Sequence, residues 1–292
     1  MRNLKANLLE LIRRTSAELP EDVVRVITSA AAQEQAGTSA QYAMNIIGQN
    51  IDLARVKSAP LCQDTGSILF FVRAPKGFDQ PAFEKAACAA VAEATAKGFL
   101  RQNSVDSITG KNTGNNLGPG SPSFHFEQHR GSRLDVRLIL KGGGCENVGA
   151  QYSLPDTRIG ANRDLDGVRK AILDAVIQAQ GKGCGPGILG VCIGGDRATG
   201  YLHSKEQFLR TMDDVNPTPT LAALEQDIVA TANKLNIGPM GFGGATTLLG
   251  CKIGVLNRLP ASFFVSISYM CWAYRRQGFV LSDAGKILEW LY

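Results

Sequence analysis

The sequence predicts an α/β protein in which helices alternate with strands and glycine-rich loops surround mixed sheets. Segments of helical periodicity, such as "LKANLLELIRR" and "FEKAACAAVAEATAK", alternate with short β-branched or aromatic runs, such as "SILFFVRAP" and "ILGVCIGG". The clusters "KGGG", "GKGCGPG" and "GPMGFGG" stand directly before or after the strand-like runs. That is the arrangement of loops meeting at the edges of α/β layers.

Taken in order, residues 3–32 and 39–56 read as helices, 67–75 as a strand and 80–97 as a helix. "FHFEQHRGSRLDVRLILKGGG" reads as a β-hairpin turning near Gly131. Residues 164–180 form a further helix, followed by "GKGCGPG" and the buried strand "ILGVCIGG". A helix over 220–236 leads to "GPMGFGG" and a strand–loop–strand section ending at residue 283. The ending "KILEWLY" suits either a terminal helix or a strand. No internal repeat or low-complexity linker interrupts the chain, so 1–292 is expected to form one domain. A subdomain break is conceivable only near 216–220, where "NPTPT" equally suits a helix start.

With 292 residues, 44% hydrophobic and 20% charged, the chain can bury a sizeable core and is not a disordered type. Its net charge of +5 is scattered along the sequence. Only pairs such as Arg13 with Arg14 and Arg275 with Arg276 stand out, which reads as a solvated face and not a nucleic-acid surface. The longest apolar stretch, 259–274, is broken by serines and too short to cross a bilayer. The N-terminal segment carries Glu10 and reads as an amphipathic helix, not a secretory signal. Seven cysteines at wide spacing, with no CxxC pair, argue against a disulfide framework and for a reducing, cytoplasmic setting.

Several motifs fail their context. Gly185, Gly187 and Gly190 spell GxGxxG, but a helix leads in and a strand leads out, the reverse of a dinucleotide site. "HFEQH" lacks HExxH spacing and alternates like a strand, placing His125, Glu127 and His129 on one face of a surface strand. Three histidines leave little for a histidine metal centre. Cys88 lies in an alanine-rich helix and reads as core. Three thiols have unusual settings: Cys62 in "PLCQDTG", Cys184 in "GKGCGPG" and Cys271 in "YMCWAYRR". Proline and glycine stiffen the first two loops and let backbone N–H groups approach an anion or sulfide. Thiolates suit iron–sulfur clusters, and three on a four-iron cluster leave one iron open as a Lewis acid. On spacing alone, a cluster is one possibility among several, and buried structural cysteines explain the pattern better.

"PLCQDTG", "NTGNNLG", "KGGGCEN", "GCGPGILGVCIGG", "GPMGFGG" and "MCWAYRR" resemble, in order and approximate spacing, the motifs of the iron–sulfur hydro-lyases. These are the class I fumarases and the α subunit of L-tartrate dehydratase, and the resemblance spans roughly residues 40–280. It implies the fold of the N-terminal (α) domain of class I fumarases and a [4Fe–4S] cluster on Cys62, Cys184 and Cys271. It also implies substrate binding by Gln63, Arg101 and Gly144, with a proton relayed by Asp64. The Arg101 fork suits a carboxylate in a way a lysine cannot copy. Cys192 and Cys251 match no ligand position and read as core. Cys145 takes a slot that is serine in many fumarases and cysteine in tartrate dehydratases.

Two positions depart from the family pattern. Leu259 stands where many members carry a substrate-binding histidine, and Ala245 replaces the lysine of "GGKTT". In class I fumarases the proposed base, a threonine, lies in a second region that is fused in some members and a separate β subunit in others. No equivalent follows Tyr292. The chain therefore resembles the α half and is expected to work in a heteromer with a β subunit that carries the base. The expected reaction is reversible hydration of a small dicarboxylate, fumarate/(S)-malate first, with L-tartrate and mesaconate/citramalate as alternatives. A non-catalytic iron–sulfur or iron-sensing protein on the same scaffold is the rival of another class. Such a sensor needs the cysteines but not Gln63 and Asp64.

Overall fold

The computed structural model describes residues 3–282 and 285–292, so the predicted end of the last strand section at 283 lies outside the described residues. The chain divides into two compact units. The first comprises Met1–Glu21, Gln49–Gly143 and Ala273–Tyr292; the second comprises Asp22–Gly48 and Gly144–Trp272. Both are mixed α/β, as the sequence predicts. Residues 216–220 fall inside the second unit.

In the first unit, helices α1 (Leu4–Ala17) and α4 (Gln80–Ala96) accompany a five-stranded mixed sheet. Its strands are β1 (Ser67–Pro75), β2 (Ser123–His129), β3 (Leu134–Lys141), β8 (Arg275–Leu281) and β9 (Ile287–Leu291), in the order β2-β1-β3-β8-β9. Strand residues two apart share a face, and Ile68, Phe70 and Val72 meet Leu138, Leu140 and Phe279 in one buried cluster. Leu8, Leu11 and Ile12 of α1 and Phe83, Ala87 and Val91 of α4 complete it. Asp79 caps α4 by accepting the Ala82 N–H.

The second unit is built on a four-stranded sheet ordered β4-β7-β5-β6, from β4 (Ala150–Ser153), β5 (Gly187–Ile193), β6 (Leu248–Val255) and β7 (Phe264–Met270). Every residue of β5 is buried, as expected of a strand covered on both faces. The short α5 (Gly143–Asn147) starts at the unit boundary. Helices α6 (Leu165–Ala179), α7 (Arg197–Glu206) and α8 (Pro219–Asn233) follow. Asp164 caps α6 through the Gly167 N–H, and a capping box at Asp196 and Thr199 starts α7.

Four expectations are corrected. The predicted helix 3–32 is two helices, α1 and α2 (Glu21–Ala31), because Pro20 cannot continue the first one and suits the start of the second. The predicted hairpin does not form. β1 lies between β2 and β3, parallel to the first and antiparallel to the second. The continuous apolar run of β1 takes a central position, while β2, none of whose residues is buried, takes the edge. Cys88 is half-buried on α4 and not a core residue. Arg275 and Arg276 do not form a solvated face: they are 1% and 0% exposed. Of the two options for "KILEWLY", the strand is realised as β9. "HFEQH" is the edge strand β2. There the His125 ring stacks on Phe71 with centroids 5.0 Å apart, and Glu127 pairs with Arg73. Among the described residues, no helix is long and apolar enough to cross a membrane.

Candidate active site

In the first unit, the turn of Cys62, Gln63 and Asp64 leads into β1 at one end of the sheet. Three hydrogen bonds pull it tight. The Asp64 carboxylate accepts the Gly66 N–H on Oδ1 at 2.8 Å and the Gly143 N–H on Oδ2 at 2.6 Å. The Asn103 Nδ2 donates to Oδ1 as well. The Asp64 N–H in turn points at the Cys62 Sγ, 3.4 Å away. A thiol is thus seated in a backbone turn whose adjacent carboxylate is fixed from both sides. Gly66 has φ 77°, and a Cβ there would lie 2.3 Å from the Lys141 carbonyl oxygen. Only glycine lets the turn lie this close to the end of β3.

Arg101 reaches this turn through its backbone. Its N–H donates to Thr65 Oγ1 at 2.9 Å, and its carbonyl accepts from Thr65 Oγ1 at 2.8 Å and from Asn116 Nδ2 at 2.8 Å. The guanidinium itself is left exposed, as is Gln63. Arg101 lies in a loop beyond α4, and Asn116 of "NTGNNLG" anchors that loop through the Asn103 and Ser104 N–H groups.

In the second unit, Cys184 is exposed on a turn with φ 55°, directly before β5. Its carbonyl accepts the Trp272 N–H at 3.4 Å, which ties the turn to the residue after Cys271. Cys145 lies buried near the Gly183 carbonyl, with its Sγ 3.9 Å away. The buried Tyr269 organises this group. A Cβ on Gly187 would lie 2.2 Å from its ring, so glycine is what lets the ring lie against the turn. Burial pushes the Tyr269 hydroxyl far up, and the nearby Cys271, Cys145 and Cys184 thiols push it the same way. Gly144 is exposed at the start of α5.

Cys192 and Cys251 are buried strand residues, and burial raises both thiols, Cys192 to about 12. They are core, as the sequence indicates. At the two departures from the family pattern, Leu259 is exposed and the Ala245 N–H is held by Glu34 Oε2 at 2.9 Å. The Thr246 N–H goes to the other oxygen of Glu34 at 2.9 Å, so this loop is shaped by a carboxylate from before α3 (Ser39–Lys57).

The residue types suit a thiolate-held cluster. Cys62 has an N–H directed at its sulfur, Cys184 is accessible on a turn, and Cys271 lies with Cys145 and Cys184 about one tyrosine. A buried cation without an acceptor, Arg275, lies in the unit that carries Cys62. Among the described residues, no three His, Cys, Asp or Glu side chains converge as a preformed metal-ion site. Sequence reasoning missed Asn103, Gly143, Tyr269 and Arg275. Asn103 is two residues from Arg101 and Gly143 adjoins Gly144, so proximity to named positions was the available signal. Tyr269 directly precedes "MCWAYRR" and Arg275 lies within it, but only the fold shows what surrounds each.

Comparison with known proteins places these features in context. The family model for fumarate hydratase (Fumerase) matches residues 5–280. A Geobacillus stearothermophilus protein named "Putative fumarate hydratase class I" is 52% identical over 296 aligned residues, covering 100% of this chain and 58% of that protein. The chain thus spans little more than half the length of that relative. The L(+)-tartrate dehydratase subunit alpha of Escherichia coli O157:H7 is 30% identical over 276 residues, with 94% of this chain and 89% of that subunit covered.

Proposed function

This chain belongs to the class I fumarase and L-tartrate dehydratase α-subunit family of hydro-lyases, and we propose that it is the cluster-bearing part of an iron–sulfur hydro-lyase. Residues 1–292 act as one α-type catalytic domain, in the cytoplasm, on the fumarate/(S)-malate pair. The observation that supports this best is the pairing, on one tight turn, of a thiol with a carboxylate held by the Gly66, Gly143 and Asn103 N–H groups. An iron sensor needs the thiol but not the fixed carboxylate.

In this reading Cys62, Cys184 and Cys271 hold a [4Fe–4S] cluster. When bound, such a cluster with one iron free of thiolate supplies Lewis acidity toward a substrate hydroxyl. The protein supplies the rest. The exposed Arg101 guanidinium takes a substrate carboxylate in a two-pronged ion pair. Its backbone bonds to Thr65 fix where that fork starts. Gln63 and the Gly144 N–H add neutral donors, which orient the dicarboxylate without adding charge. Asp64 keeps acceptor capacity beyond its three N–H bonds and relays a proton at its carboxylate oxygens.

A base for the carbon-bound proton comes from a second part of the enzyme, a β subunit. The relative named subunit alpha agrees with such a division, while the longer Geobacillus relative suits a fused arrangement. The test is anaerobic reconstitution with iron and sulfide, addition of a β chain, and assay on fumarate, L-tartrate and mesaconate. Turnover of fumarate in preference to the others supports the reading. Preference for L-tartrate makes the chain a tartrate dehydratase α subunit, which the cysteine at 145 favours. A loaded complex inert toward all three contradicts the enzyme reading.

A further inference from the structure

We propose that the first unit carries a second ligand site, for a small aromatic monocarboxylate, at the end of its sheet opposite the Cys62 turn. This goes beyond the hydro-lyase reading and does not depend on it.

A cavity of about 620 Å³ opens at that end, within the usual range for a small-molecule site. β1 receives the chain from the Cys62 turn at Ser67 and finishes at Pro75, the last of its nine residues. At about 3.3 Å per residue the two ends of the strand stand roughly 26 Å apart. The cavity lies where β1 and β2 end, β3 begins and α1 and α4 start. A small dicarboxylate held at the Cys62 turn cannot reach across that span, so a ligand here is separate from the reaction.

The floor of the cavity is apolar. Phe83, Leu134 and Leu4 line it from α4, β3 and α1, and all three belong to the buried core. Phe78 forms a wall, its ring fixed against Phe83 and Phe126 with centroids 5.8 and 6.5 Å away. Packed phenylalanine rings at one cavity offer offset and edge-on contacts to a flat aromatic guest. Fumarate, with two charges and almost no apolar surface, gains little from such a floor.

The rim is cationic. Lys76 and Arg130 line the cavity and are exposed, and neither forms an ion pair or a side-chain hydrogen bond among the described residues. Each stands on a braced turn. The Phe78 N–H donates to the Pro75 carbonyl at 3.2 Å and closes the turn that holds Lys76, where Gly77 takes φ 81°. Across the cavity, the Gly131 N–H donates to His129 Nδ1 and His129 Nε2 donates to the Arg133 carbonyl, both at 2.9 Å. One imidazole ring thus fixes the turn that presents Arg130. The one acid among the described lining residues is Asp79, whose Oδ1 already accepts the Ala82 N–H at the start of α4. Two cations against one carboxylate leave a single positive charge, which matches a monoanion. The Arg130 fork suits a carboxylate, and Lys76 adds a point charge beside it.

The experiment titrates the 292-residue chain with naphthoate and follows binding by calorimetry. One equivalent should bind with a Kd on the order of 10–100 μM, the affinity that about thirteen non-hydrogen atoms give at ordinary ligand efficiency. Uncharged naphthylmethanol should bind about 10-fold more weakly, because two exposed charge contacts contribute about that much. The double variant Lys76→Ala with Arg130→Ala should weaken naphthoate by a similar factor. Ala82→Trp places a bulky ring at the exposed edge of the cavity and should weaken naphthoate while leaving Tm unchanged. Fumarate should not compete. Absence of naphthoate binding overturns the proposal. Equal affinity for naphthoate and naphthylmethanol overturns the anionic ligand class, and with it the proposal. Unchanged affinity in both variants, or competition by fumarate, would put the naphthoate elsewhere on the chain and overturns it as well.

Discussion

Replacing Asp64 by asparagine keeps the shape of the side chain and changes only what its two outer atoms can do. At present both are acceptors, taking N–H groups from Gly66, Gly143 and Asn103. Asparagine offers one acceptor and one donor. With its amide nitrogen toward Gly143, two N–H groups face each other at the position of the 2.6 Å bond. With the amide turned over, the conflict moves to Gly66 and Asn103. At least one hydrogen bond to a charged acceptor is lost in either orientation, worth about 1.5–3 kcal/mol. Gly143 is exposed, so water takes up part of that loss, and about 2 kcal/mol is expected. For a chain of this size that lowers Tm by about 4–8 °C. The assay is calorimetric unfolding of the cluster-free chain, with turnover of the reconstituted complex measured in parallel and expected to fall about 10²–10⁴-fold. The double variant Asp64→Asn with Asn103→Asp restores one donor–acceptor pair and should recover part of the Tm. An unchanged Tm in the single variant would refute the clamp, and unchanged turnover would remove Asp64 from the chemistry.

Three other outcomes follow from the same geometry. Gly66→Ala forces a side chain into φ 77° and against the Lys141 carbonyl, so a loss of about 3 kcal/mol is expected in chemical denaturation; a neutral result would show that the turn can move. Arg101→Lys should leave Tm unchanged, because the Arg101 backbone and not its side chain holds Thr65. It should raise KM about 10–100-fold through loss of the two-pronged contact, and an unchanged KM would exclude Arg101 from substrate binding. Burial raises the Cys192 thiol to about 12, so at pH 8 it is protonated and inert. A thiol-alkylating reagent followed by peptide mapping should label the exposed Cys184 first and leave Cys192 and Cys251 untouched until the chain unfolds. Early labelling of Cys192 would contradict its burial.

The parts of the fold that local pattern controls were legible. β1 and β5 are continuous apolar runs, and α4 and α6 follow acidic caps at Asp79 and Asp164. The break at Pro20 was also written locally, but the helical pattern on either side of it masked the stop. Strand pairing was not legible. The turn-like residues between β2 and β3 suggest a hairpin, yet β1 lies between them because burial across the whole sheet, not the turn, sets the order. The candidate site divides the same way. Cys62 and Asp64 announce themselves in one turn, whereas the Gly143 N–H that holds Asp64 comes from 79 positions away. Arg275 with Arg276 reads as a surface charge pair until the register buries one on each face of the sheet.

The central claim is that Cys62, Cys184 and Cys271 together hold a cluster, and counting iron and sulfide tests it most directly. The chain and its single variants are reconstituted anaerobically, freed of loose metal, and assayed for both elements alongside absorbance. The unaltered chain should hold about four iron and four sulfide with broad thiolate-to-iron absorption that fades in air. Cys62→Ser, Cys184→Ser and Cys271→Ser should each hold almost none, while Cys88→Ala and Cys192→Ala retain the full complement. Equal retention, or equal loss, across all five variants would contradict the account.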